Sequence, residues 1–63
     1  MEKEQLKKEF KIVMKKHVGD ADYYTRYKYK NEALEAWARY YAISTLYENI
    51  FQESLSIADL FTN

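Results

Sequence analysis

Uncharged side chains recur every three or four residues along the second half of this chain: Tyr29, Ala33, Ala36, Tyr40, Ile43, Tyr47, Ile50, Ser54, Ile57 and Phe61. Such spacing is the heptad seam of one long helix, or of a helix and its continuation, and it predicts a face to bury. Beside it runs a second apolar row, Tyr27, Leu34, Trp37, Ala38 and Tyr41, which stops at Thr45, where Glu48 and Gln52 take over. The first half of this helix is therefore apolar on two sides. It calls for two neighbours, and in so short a chain one of them is expected to be another molecule.

Toward the N-terminus, Leu6, Phe10, Val13, Met14 and His17 share one face, with Lys7, Lys8, Lys11 and Lys15 opposite, which predicts a first helix over about 3–18. Gly19 suits the left-handed residue that closes a helix, and Asp20 or Asp22 can cap the next segment. The stretch from Tyr23 to Lys30 reads two ways. With period two, Tyr23, Thr25, Tyr27 and Tyr29 share a face, as in a strand; with helical period, Tyr23 or Tyr24 lines up with Tyr27 and Leu34. No second strand exists to pair with, so helix is predicted.

The expected fold is therefore all-α, a small helical bundle forming a single domain over 1–63. A Tyr-rich second helix over about 21–30 is continuous, or nearly so, with a long third helix over about 32–53. Asn31 ends the one or restarts the other as an N-cap, with Glu32 and Glu35 in the first turn. A short last helix over about 56–61 comes next, because Ser56 with Asp59 three residues on resembles a capping box. Proline is absent and there are no repeats or linkers.

A core from 63 residues yields only about 3–5 kcal/mol unless a disulfide, a metal or a partner chain adds to it. There is no cysteine, and His17 is the single histidine, so oligomerisation or unusually good helix packing is the route left open, and a homo-oligomer such as a homodimer is expected. The charged opening Met1-Glu2-Lys3-Glu4 does not look like a signal peptide, and Arg39 interrupts the longest apolar run. The expected location is the cytoplasm, without membrane contact.

Charge is balanced overall but divided along the chain. Residues 1–30 hold nine Lys and Arg against five acids, whereas residues 31–63 hold Arg39 against Glu32, Glu35, Glu48, Glu53 and Asp59. The two halves can satisfy each other within the fold, pair head to tail between copies, or face different ligands.

Chemistry finds little to work with. His17, Asp20 and Asp22 could converge loosely on a cation, but a helix-end histidine followed by two capping acids explains them. Glu32 and Glu35 can meet Arg39 at i+7 and i+4 as an exposed ion-pair ladder. No nucleophile triad, glycine-rich phosphate loop or metal motif is present. The chain is expected to be a non-enzyme without cofactor or metal.

Seven tyrosines and one tryptophan exceed what a small helical core uses, and these are the residue types most enriched at interface hot spots. Trp37, Tyr40, Tyr41, Tyr47 and Tyr27 are thus the expected partner-binding residues. Lys7, Lys11, Lys15, Arg26, Lys28 and Lys30 are the expected electrostatic contacts to an acidic partner. The alternative is a small nucleic-acid-binding regulator, since bases stack on tyrosine while cations track the backbone across 23–30. Zero net charge, and Glu32 and Glu35 leading the helix that would read DNA, favour protein over nucleic acid. Residues with AT-rich codons (Phe, Tyr, Met, Ile, Asn, Lys) number 27 against nine of Gly, Ala, Arg and Pro. That composition suggests a low-GC genome and a phage or mobile-element accessory protein that inhibits or redirects a host protein.

Overall fold

In the computed structural model, which describes residues 2–61, the chain runs as one helix, α1 (Glu2–Arg26), straight through Gly19. Gly19 has no left-handed φ, and a Cβ placed there would meet nothing. The expected stop fails for an energetic reason. Glycine inside a helix costs only about 1 kcal/mol relative to alanine, while continuing the helix buries Ala21 on the same face as Met14 and Val18.

The break comes instead at Tyr27-Lys28-Tyr29, so the Tyr-rich segment ends α1 and is not continuous with the next helix. Here Tyr29 N–H donates to the Tyr24 carbonyl at 2.8 Å and Lys28 N–H to the Thr25 carbonyl at 3.2 Å, with Lys28 at φ 64°. These paired bonds close a helix C-terminus around one left-handed residue, and an apolar contact across the turn accompanies them. Tyr24 and Tyr29 supply it, their rings edge-on at 6.1 Å. The alternation that resembles a strand is the cap of a helix.

Helix α2 (Lys30–Phe51) returns antiparallel to α1. Its N-cap is Tyr29, without a side-chain cap bond, and Asn31 lies inside the helix. At the far end Gln52 takes a left-handed φ of 57°, donates its N–H to the Glu48 carbonyl at 2.9 Å and its Nε2 to the Asn49 carbonyl at 2.9 Å. Helix α3 (Ile57–Leu60) begins with the predicted capping box: Asp59 N–H donates to Ser56 Oγ at 3.1 Å, and Ser56 N–H to Asp59 Oδ2 at 3.0 Å. The fold is all-α, with no strand among the described residues.

The seam of α2 follows the expected row through Ala33, Ala36, Tyr40 and Tyr47, then passes to Phe51 where Ile50 was expected, and Ser44 is buried beside Ile43. A straight helix drifts by about 20° per heptad against a strict 3.5-residue repeat, so the buried row moves on by one position after two heptads. On α1 the same logic shifts the stripe. The buried stripe takes in Val18 and, with the helix extended to Arg26, Ala21, while Leu6 and Val13 move to its edge, half exposed. Phe10 meets Tyr47 at 5.9 Å and Phe51 at 5.7 Å between ring centres, and Leu60 of α3 completes that end of the core. Among the described residues, no helix is long and apolar enough to cross a membrane.

Candidate functional site

The second apolar row of α2 stays largely uncovered. Leu34 is 69% and Tyr41 60% exposed, and Trp37, partly buried, stacks on Tyr41 with ring centres 6.1 Å apart and an interplanar angle of 28°. Where this row nears the turn, Tyr24, Thr25, Lys28, Lys30, Ala33, Leu34 and Trp37 enclose an apolar cleft of about 500 Å³. Alanine at position 33 makes the cleft possible, because a larger side chain there would fill it. Lys28 and Lys30 stand exposed on its rim, and neither ammonium has an ion-pair partner among the described residues. Tyr27, also exposed, lies against Tyr23 on the outside of α1, with ring centres 4.8 Å apart.

Two residues expected to face a partner are core instead. Tyr40 is 3% and Tyr47 0% exposed, because the row they occupy is the one that meets α1. The Tyr47 hydroxyl donates to Glu53 Oε1 at 2.7 Å, and Lys7 Nζ donates to Glu53 Oε2 at 3.0 Å. Burial, then the Glu53 carboxylate, push the Tyr47 hydroxyl up to about 12. Burial also raises Tyr40, assisted by the neighbouring Tyr41 and Glu48 and opposed by a hydrogen bond with Ser44. Glu53 is held below its ordinary value by its hydrogen bonds from Tyr47 and Lys7 and by the charges of Lys7 and Lys11.

The lysine ridge of α1 faces this acidic C-terminal segment. Lys7 pairs with Glu53 and lies 5.5 Å from the centre of the Phe51 ring; Lys15 lies 5.9 Å from that of Phe61. Such distances permit a cation–π attraction. The charge of Lys11 helps lower Glu53 and, after the Ser56 hydrogen bonds, Asp59. The opposite charges of the two halves thus meet within the fold. Arg26 forms an exposed pair with Asp22 at 3.0 Å.

His17, Asp20 and Asp22 lie on one continuous helix rather than across a turn. Asp22 is taken by Arg26, and no cluster of three metal-ligating side chains occurs among the described residues. The Nδ1 of His17 is buried without a hydrogen-bond partner.

Sequence reasoning placed Leu6 and Val13 in the core and missed a second concavity. Leu6, Glu9, Phe10 and Val13 of α1, with Ile43 and Leu46 of α2, line an apolar groove of about 250 Å³. The signal was the width of the apolar stripe on α1, too broad for one neighbouring helix to cover. No family model, curated protein or solved structure matches this chain.

Proposed function

We propose that this chain is a non-catalytic protein-binding module of the cytoplasm, a phage or mobile-element accessory protein that inhibits or redirects a host protein by occupying its surface. The observation that carries this is the row of exposed Leu34 and Tyr41 with half-buried Trp37 between them, beside the cleft at the turn. A stacked Trp–Tyr pair offers large apolar area at little rotamer cost, the composition typical of binding hot spots. The cleft volume lies in the range that accepts a side chain or small ligand group. Lys28 and Lys30 on the rim favour a partner with acidic residues around its anchor. The codon composition supports the origin.

The test is capture from a lysate of the native host on immobilised wild-type protein and on Trp37→Ala, followed by titration of the purified partner. Trp37→Ala or Tyr41→Ala should weaken binding by about 2 kcal/mol, roughly 30-fold. Lys28→Gln with Lys30→Gln should mainly slow association.

Lys28 and Lys30 next to exposed Tyr27 and Tyr29 keep a nucleic-acid reading in play. Against it, the Lys7, Lys11 and Lys15 ridge is directed at Glu53, Asp59 and Phe61. A phosphate grip would reveal itself as a log–log salt slope near −0.9 per phosphate neutralised on duplex. Submicromolar oligonucleotide binding with such a slope, surviving Trp37→Ala but not the Lys28 and Lys30 substitutions, would replace protein by nucleic acid as the target.

A further inference from the structure

The groove lined by Leu6, Phe10, Val13, Ile43 and Leu46 lies on the other edge of the hairpin from the cleft. At roughly 100° per residue, Leu6 and Val13 sit on the edge of α1 opposite Lys11 and Lys15, and Ile43 and Leu46 on the edge of α2 opposite Leu34 and Tyr41. Helix α3 packs on α1 and sets Phe61 by Lys15, so it leaves this edge bare. Leu6 is 42%, Val13 40% and Leu46 47% exposed, and Glu9 is the single charged residue in the lining. Two antiparallel helices form one layer, only 16 Å through its thinnest dimension.

We propose that a second copy of this chain occupies the groove, joining two hairpins into a four-helix bundle. Area is the first argument for that occupant. Folded monomers of this mass, 7.6 kDa, expose about 4,300 Å², whereas this chain exposes 4980 Å². The excess, roughly 700 Å², is what a hairpin one layer thick leaves uncovered along its two edges, and the edge carrying the groove is lined by apolar side chains from both helices with Glu9 as the one charge.

Symmetry is the second argument. A two-fold pairing requires one patch to complement itself, and this patch presents aliphatic side chains from both helices along a shared row. With zero net charge, two copies approach without long-range repulsion. Pairing on this edge turns the half-exposed aliphatics into a second core, as in antiparallel bundles generally. It leaves the Leu34, Trp37 and Tyr41 row free, so it stands or falls independently of the function proposed above.

Sedimentation equilibrium of the wild-type protein and of two charge insertions tests this. The wild-type protein should be dimeric at micromolar concentration, with a melting temperature that rises with concentration. Leu46→Glu should weaken the dimer by about 100-fold or more, because it leaves a buried charge without a partner. Leu34→Glu should leave it intact. A gentler pair guards against misfolding, since the native chain has no cysteine to interfere. The thiol of Leu46→Cys should react with a maleimide more slowly as concentration rises, and that of Leu34→Cys at a constant rate. A wild-type protein that is monomeric throughout, a dimer dissolved by Leu34→Glu but not by Leu46→Glu, or equal thiol rates at all concentrations would each overturn the proposal.

Discussion

At the end of the hairpin nearest Lys7 the interior holds Phe10, Tyr47, Phe51 and Leu60 from three helices, whereas toward the turn it holds Ala21, Ala33 and Ala36 from two. Rings are inside at one end and outside at the other. Alanines let the two helices approach closely, and of the bulky residues of the same segment Leu34 and Tyr41 are left on the surface and Trp37 is covered on one side alone. At the other end the rings fill the space between α1, α2 and α3, and the single buried hydroxyl among them finds Glu53. Aromatic residues thus do two jobs here. Near Lys7 they hold the fold together; near the turn Tyr24 and Tyr29 close the connection and Trp37 rests one side on the core, while Tyr41 and Tyr27 stay exposed and available to a partner.

Truncating a ring at each end should separate these jobs most sharply. Tyr47→Ala removes a fully buried ring that touches Phe10 and Phe51, a change that costs about 3–5 kcal/mol. That equals the whole stability expected of so small a domain, so circular dichroism should show a largely unfolded chain. A stable Tyr47→Ala variant would mean that the two ends are energetically alike.

Tyr47→Phe keeps the ring and deletes its bond to the Glu53 carboxylate, which should cost about 1–2 kcal/mol by urea denaturation. Its pH dependence stems from the raised hydroxyl. The folded protein keeps this proton up to about 12, while the unfolded chain loses it near the ordinary 10.0. Between those values the unfolded state binds fewer protons, so wild-type stability falls as pH rises. Tyr47→Phe lacks that loss, and the gap between the two proteins should narrow across the window.

Two backbone substitutions should stabilise the chain. Lys28→Gly relieves the left-handed φ of 64° at the turn, and Gly19→Ala fills an open helical position. Each should gain about 0.5–1 kcal/mol, read as a rise in melting temperature. A fall with Gly19→Ala would indicate that α1 breaks there in solution. The smallest effect is expected at the turn end. Tyr41→Ala should change stability by no more than about 0.5 kcal/mol, as surface substitutions do.

Much of this architecture can be read from residue spacing alone. The α2 seam from Ala33 to Tyr47, the second row through Leu34, Trp37 and Tyr41, and the Ser56–Asp59 box are local patterns that packing does not override. The break between the long helices is hidden because its left-handed residue is a lysine, while the only glycine lies mid-helix. A tyrosine pair five residues apart, Tyr24 and Tyr29, is the trace that the turn leaves in the sequence. Spacing puts Tyr40 and Tyr47 in the seam and Tyr41 beside it, as the structure has them; it was residue type, which suits a core and an interface alike, that set Tyr40 and Tyr47 among the expected partner contacts. The charge split was visible, but Lys7 meets Glu53 only because the antiparallel return brings them together.

The three-residue connection between α1 and α2 also sets an order of events. Its hydrogen bonds and its Tyr24–Tyr29 contact join residues three to five positions apart, and chains dominated by contacts this local reach the native state in microseconds to milliseconds. Closure at the turn is expected to bring the alanine seams together first, and the Lys7–Glu53 contact, which spans 46 positions, to form last, as the final tooth of a zipper. Changes at the turn should then act on the rate of folding and changes near Glu53 on the rate of unfolding, a division that the two arms of a chevron plot would read.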